Sequence, residues 1–418
     1  MIPMADGKVV GPFEHTRDVN VIMTVVHPRP VIGLGNLLIL NLAEAATLNK
    51  TKPKDVAPAS ADDTPQGSQP KNNDSTNTQA GSNDQGSAPK SRAFSNVLSN
   101  SDRMNGLLLR KVDTATGSMY REYSNLDAVE VDYAKGTPVY KKAAAYFAQD
   151  NHSDRVAVLD YPKDKLEDSL KNFWTFNWTF AIFSENKFSD ETVLASNIFE
   201  ANQDHFLVLQ TDDLGTFNPY YGQNFTIGLD HDLDEPMDAA FVGAIATLPV
   251  GSTTWKFKAL KGITPDEVTV AERAGMDSAH TIGYIISDGR PETSEGFTLS
   301  GEYIDLLHGE IWVKTYVGSD LVDLLHKNNK IPYDAEGIRM IKSTIESRLL
   351  DAYNRGIIQE IGETGKGDYV VTTTPREEQS LQDKSKRHYG GASFTYHASS
   401  AIHTITVNGV VNSDTIMS

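Results

Sequence analysis

The sequence predicts a mixed α/β (α+β) fold built from more than one domain. Three observations carry that prediction. Strand and helix signals alternate through the middle of the chain, as they do in α/β and α+β domains. Several apolar runs are short and nearly continuous, the pattern of strands covered on both faces. The last third holds long helical periodicities followed by β-rich segments. At 418 residues, 39% of them hydrophobic, there is material for two or three domains.

Taken in order, the first eighteen residues show no periodic apolar face and read as an extended arm. Val19 to Val26 is rich in β-branched residues and is closed by His27-Pro28-Arg29-Pro30, whose prolines cannot donate to a ladder. Asn36 to Leu42 is a second strand candidate. From about Lys50 to Ser91 the character changes. Residues 51–90 hold one valine and no aromatic residue, too little apolar area to offset the entropy of ordering them. This stretch reads as a disordered insertion between two folded segments.

Leu107–Val112 and Met119–Tyr123 then form a hairpin pattern around Thr116-Gly117. Thr137-Pro138 supplies an N-cap and a first-turn proline for a helix burying Val139, Ala143, Tyr146 and Phe147. Arg155–Leu159 and His205–Gln210 are strand candidates, and the aromatic cluster from Phe173 to Phe183 reads as core. Ile304–Leu325 is one long helix or two abutting ones interrupted at Gly318. Asp334 caps a helix carrying Ile338, Ile341, Ile345 and Leu349 on one face and stopping near Gly356. Asp368–Thr373, Ser393–Tyr396 and Ile402–Val411 are strands.

Composition excludes several function classes. The chain has no cysteine, which removes disulfides, thiolate metal sites and cysteine nucleophiles. A formal charge of −18 opposes nucleic-acid binding, which depends on Lys and Arg neutralising phosphates. No run approaches the roughly 20 apolar residues of a membrane span, and no signal-peptide pattern opens the chain, so a cytoplasmically made protein without membrane insertion is expected.

Apparent chemical motifs fail on their mechanics. Gly33-Leu34-Gly35 precedes its strand where a dinucleotide turn must follow one, and Leu38 occupies the third glycine position. Gly365-Lys366-Gly367 lacks the first glycine of a phosphate loop and its Ser/Thr. Asp230-His231-Asp232-Leu233-Asp234-Glu235 opens like a calcium loop, but Glu235 replaces the turn glycine and Phe241 the bidentate acid, so it reads as a solvated acidic loop. No H-E-x-x-H or G-x-S-x-G pattern occurs. The expectation is a protein with no catalytic residue, no metal and no cofactor.

The order of many modest motifs resembles the tail sheath proteins of contractile phage tails, in a divergent branch of phage structural proteins. The resemblance begins with the strand and turns of Val19–Leu40 and continues through Tyr123–Val129 and Ala145–Gln149. It is most specific over Pro249–Lys258, Leu260–Pro265, Glu295-Gly296, Gly301–Asp305, Lys330–Asp334 and Gly337-Ile338, and it closes on Ala401-Ile402-His403 and Gly409-Val410-Val411. The insertion departs from the pattern in length and composition.

The resemblance implies a sheath-like fold with a C-terminal α/β assembly domain, an outer domain and strand-forming terminal arms. Its divisions would be an arm over 1–18, strands of the assembly core over 19–49, the insertion over 50–95, an outer or middle domain over 96–300, the assembly domain over 301–400 and an arm with an exchanged strand over 401–418. Strand exchange between subunits would run through Val19, Val21, Met23 and Val25 at one end and Ile405, Val407, Val410 and Val411 at the other. Gly7–Asp18 and His397–Ser400 would serve as hinges. The implied function is a structural subunit that polymerises helically around the tail tube and contracts to drive it through the host envelope. Implied partners are further copies of itself, the tail tube protein, and baseplate and tail-terminator proteins, within a virion assembled in the host cytoplasm. The alternatives are another polymerising tail or baseplate component, or an acidic α/β enzyme.

Overall fold

The structure is a computed structural model and describes residues 34–43, 94–96 and 98–406. The hinge expected over Gly7–Asp18, the strand predicted over Val19–Val26, the insertion over 50–91, and Val407, Val410 and Val411 lie outside the described residues.

Ten strands form one large mixed sheet. In chain order these are β1 (Leu37–Leu42), β2 (Phe94–Asn96), β3 (Leu107–Asp113), β4 (Met119–Tyr123), β5 (Val156–Tyr161), β6 (Phe180–Phe183), β7 (Phe206–Thr211), β8 (Thr226–Asp230), β9 (Thr281–Ser287) and β10 (Arg290–Thr293). The spatial order is β10-β9-β8-β7-β6-β1-β5-β4-β3-β2. Neighbours from β9 across to β5 are parallel, and both margins are antiparallel.

β1 sits in the middle, with Leu37–Leu42 in register with Val156–Tyr161 on one side and Leu37–Leu40 with Phe180–Phe183 on the other. Leu37, Leu38, Ile39 and Leu40 are fully buried. A strand apolar on both faces needs a layer above and below it, and the centre of a large parallel sheet supplies both. Leu37–Leu42, expected among the N-terminal strands over 19–49, is a central strand of the large sheet.

The helices before residue 280 are α1 (Asn100–Met104), α2 (Leu126–Asp132), α3 (Pro138–Phe147), α4 (Leu166–Phe173), α5 (Asp190–Asn202), α6 (Met237–Ile245) and α7 (Val270–Ser278). α3 starts as its sequence dictates, with Pro138 in the first turn and Thr137 Oγ1 accepting from the Tyr140 amide. It packs against α6, where the buried Lys142 ammonium meets the buried Asp238 carboxylate at 2.5 Å. The aromatic cluster is core: Trp174 and Trp178 meet edge to face at 5.4 Å between centroids. Their ring N–H groups donate to Asp204 Oδ1 and to the Phe173 carbonyl.

Three more helices follow: α8 (Ile304–Lys327), α9 (Ala335–Asn354) and the short α10 (Leu381–Lys386), with strands β11 (Tyr369–Thr373) and β12 (Ala392–Tyr396) flanking α10. α8 is continuous, and the break considered at Gly318 is absent because that glycine is buried within the helix. Ile304, Leu307 and Ile311 enter the large core, whereas Trp312, Val313 and Val317 enter a second core with Ile345 and Leu349 of α9. One rigid rod thus belongs to both cores, and the sequence boundary at residue 300 marks no gap in packing. Asp334 caps α9 by accepting from the Glu336 and Gly337 amides. A Cβ at Gly337 would fall 1.9 Å from the Pro332 carbonyl oxygen, so only glycine fits there. Among the described residues no helix is long and apolar enough to cross a membrane.

Candidate assembly interface

β11 and β12 form a separate antiparallel hairpin, with Tyr369 opposite Tyr396, Val371 opposite Phe394 and Thr373 opposite Ala392. Alternation sends Val371 and Phe394 into the second core and leaves Val370, Thr372, Ser393 and Thr395 exposed. Two strands alone are marginal, and this pair persists by packing on α9 and α8. Among the described residues the two strands pair only with each other. Each therefore has an outer edge of backbone donors and acceptors that an added strand could take.

The C-terminal arm leaves from the base of this hairpin. His397 N donates to the Asp368 carbonyl, Gln359 N to the His397 carbonyl, and Ser399 N to the Ile357 carbonyl. Residues 397–399 are thereby stitched to the body, which corrects the expectation of a hinge over His397–Ser400. Residues 401–406 run on without strand pairing. Ile402 and Ile405 are 78% and 81% exposed, and Ile405 is the one predicted exchange residue within the described part. His403 between them turns inward, a role sequence reading missed because a single histidine carries no pattern.

The hairpin base, α8 and the loop at residues 249–254 meet closely. Gly251 (φ +91°) and Gly356 (φ +80°) both occupy the left-handed region, and a Cβ on Gly356 would stand 2.8 Å from the Gly251 carbonyl oxygen. Beside them lies a cavity of about 180 Å³ bordered by Asp305, Tyr396 and Ser399 among others. Burial raises the Asp305 carboxyl above its ordinary range and holds the Tyr396 phenol well above its own.

The acidic loop is built as a turn. His231 Nδ1 lies 2.9 Å from Asp266 Oδ2 and its Nε2 lies 3.2 Å from Glu235 Oε2. Asp232 Oδ1 accepts from the Asp234 amide. Among the described residues no group of three or more acids and histidines could hold a metal ion. Asp230, half-buried at the end of β8, has its carboxyl pushed up to about 6, first by burial and then by the Asp266 charge. Its folded value lies above the ordinary 3.8, so the native state binds the extra proton and stability falls as pH rises between these two values. Asp230→Asn should raise the melting temperature at pH 7.5 and lose that gain by about pH 4. Thermal unfolding of the two proteins at both pH values checks this, and equal melting temperatures at pH 7.5 would contradict it.

Residues 304–411, which span α8, α9, the hairpin and the arm, match the family described as "E217 tail sheath protein gp31-like, C-terminal domain". Residues 304–411 are similar to the C-terminal domain of tail sheath proteins. The chain as a whole shares its fold with chains of solved contractile assemblies. One is a chain of the anti-feeding prophage (AFP) baseplate, at 10% identity and a TM-score of 0.58, covering 96% of this chain and 100% of that one. Another is from the PVC extracellular contractile injection system sheath complex in its contracted state, at 10% identity and 0.57, covering 95% and 98%. A third is the AFP helical sheath in its contracted state, at 10% identity and 0.57, covering 96% and 99%. No curated protein sequence matches. The sheath fold is therefore present over nearly the whole chain, while the family match in sequence is confined to the C-terminal quarter.

Proposed function

We propose that this protein is a sheath subunit that polymerises helically around a tail tube by lending strands to neighbouring copies, and that the polymer contracts to drive the tube through a host envelope. The observation that carries the reading is the β11–β12 hairpin, which has two outer edges without a strand partner among the described residues. It stands beside an arm that exposes Ile402 and Ile405. An added strand supplies main-chain hydrogen bonds along an open edge, and a head-to-tail contact that does not close generates a helix. Val19, Val21, Met23 and Val25 would come from one neighbour, and Ile405, Val407, Val410 and Val411 from another. Contraction would then be rigid-body rotation of subunits within a mesh held by those strands. The energy would reside in subunit interfaces, which makes the protein a mechanical element with no catalytic step. The tube, baseplate and tail-terminator proteins are the partners this role requires, with assembly in the host cytoplasm and genome delivery as its outcome.

The absence of native cysteine makes the exchange directly testable. One preparation carries Val407→Cys alone, and others carry Thr372→Cys or Thr395→Cys, on the exposed faces of β11 and β12 respectively. Mixing them under mild oxidation should give a disulfide-linked dimer with one of the two edges. Absence of any mixed dimer with residues along either edge would overturn the exchange.

A further inference from the structure

The C-terminal arm is tied down at a second point beyond the hairpin base. His403, with its side chain 10% exposed, lies between three segments of the large-sheet body. Its Nδ1 lies 3.2 Å from Glu295 Oε2, a carboxylate oxygen that can only accept, and its Nε2 lies 2.7 Å from Thr254 Oγ1 in a second hydrogen bond. The Tyr303 ring meets the imidazole edge to face at 4.8 Å between centroids. Glu295 is itself a junction. It also receives the Lys256 ammonium from the preceding loop and, at 3.3 Å, the Arg273 guanidinium from α7. The flanking Ile402 and Ile405 touch little and face outward. An exposed, unpaired segment with one inward, doubly hydrogen-bonded side chain at its centre has the form of a tether.

We propose that His403 is a positioning residue that fixes where the C-terminal arm departs from its own subunit and so sets the register of the strand it lends. This rests on the strand-exchange reading above. With the anchor closed, the travelling segment begins after His403. With it open, the last main-chain tie is Ser399, and four residues join the free arm. Four extended residues add roughly 13 Å of reach. That is several residues of strand register, and a slip of one residue already turns every side chain to the other face. The anchor also links the arm to Glu295 in the large-sheet body, so the strand held by a neighbour is oriented by the body as well as by the hairpin.

The test uses the full chain with His403→Ala and, as the milder change, Thr254→Val. In the unassembled subunit, backbone NMR order parameters over 401–406 should fall below about 0.6 in His403→Ala and fall by less in Thr254→Val, with the melting temperature unchanged. In assembled material, Val407→Cys should cross-link to one edge position in the parent and spread over several positions when His403→Ala is added. Order parameters equal to the parent's, or an unchanged single cross-link, would overturn the anchor. If the parent itself gives no cross-link between copies, the strand-exchange reading fails, while the order-parameter measurement still decides whether His403 holds the arm.

Discussion

A variant lacking Thr404 to Ser418 should fold as a monomer and form no tubes. Both halves of that expectation follow from where the packing lies. The large core is drawn from residues between Leu37 and Ile311, with Leu34 against it. The second core is drawn from Trp312 to Val371, with Phe394 and Tyr396 packed on it. Within 404–406, all three residues are exposed. Their removal takes away little buried apolar area, so the melting temperature should move by no more than a degree or two. Polymerisation is different in kind. An edge offered by each subunit would have no strand to receive, and every contact of that class would be lost together. Particle counts by electron microscopy and the sedimented fraction should therefore fall to background. Tubes formed by the truncated protein would show that the arm is dispensable.

The second large effect is on stability. Lys142 is 4% exposed and Asp238 1% exposed, and they join α3 to α6 with Asn186 Oδ1 as the ammonium's further acceptor at 2.8 Å. Burial pulls the Lys142 ammonium below its ordinary range, and the Asp238 charge opposes that. Lys142→Met fills nearly the same volume but leaves a carboxylate in the interior without its cation. Breaking one side of a buried pair costs about 3–5 kcal/mol, which in a protein of this size lowers the melting temperature by about 5 °C. Replacing both, Lys142→Met with Asp238→Leu, should recover most of the loss, because the desolvation of both charges disappears with them. Chemical denaturation of the parent, the two single variants and the double variant measures the coupling. A single Lys142→Met change costing under about 1 kcal/mol would contradict the assignment.

Local chemistry was legible in the sequence, and long-range arrangement was not. Thr137-Pro138 and Asp334 each announce a helix start within four residues, and both caps form as their side chains require. The apolar run at Leu37 announces a buried strand. Its neighbours, Val156 and Phe180, lie more than a hundred residues away, and no local pattern encodes which strands flank it. The same distance hides the Lys142–Asp238 pair, since a lysine in a helical pattern ordinarily faces water. At the candidate interface, the alternation of Asp368–Thr373 and Ser393–Tyr396 marks two strands, and the hairpin they form follows. That residues 397–399 are stitched down could not be read, because the ties are main-chain bonds indifferent to side-chain identity. His403 is the sharper case. Its partners Thr254 and Glu295 are far apart in sequence and become neighbours only when the loop before Trp255 folds onto the end of the large sheet. Gly318 left one helix or two open in the sequence, and burial of the helix around it decides for one.

The central proposal is that this protein builds a polymer from itself. Electron microscopy of the purified full-length chain, concentrated without other tail components, tests it most directly. Long hollow tubes of regular width are the predicted result, and discrete monomers that never polymerise would contradict it.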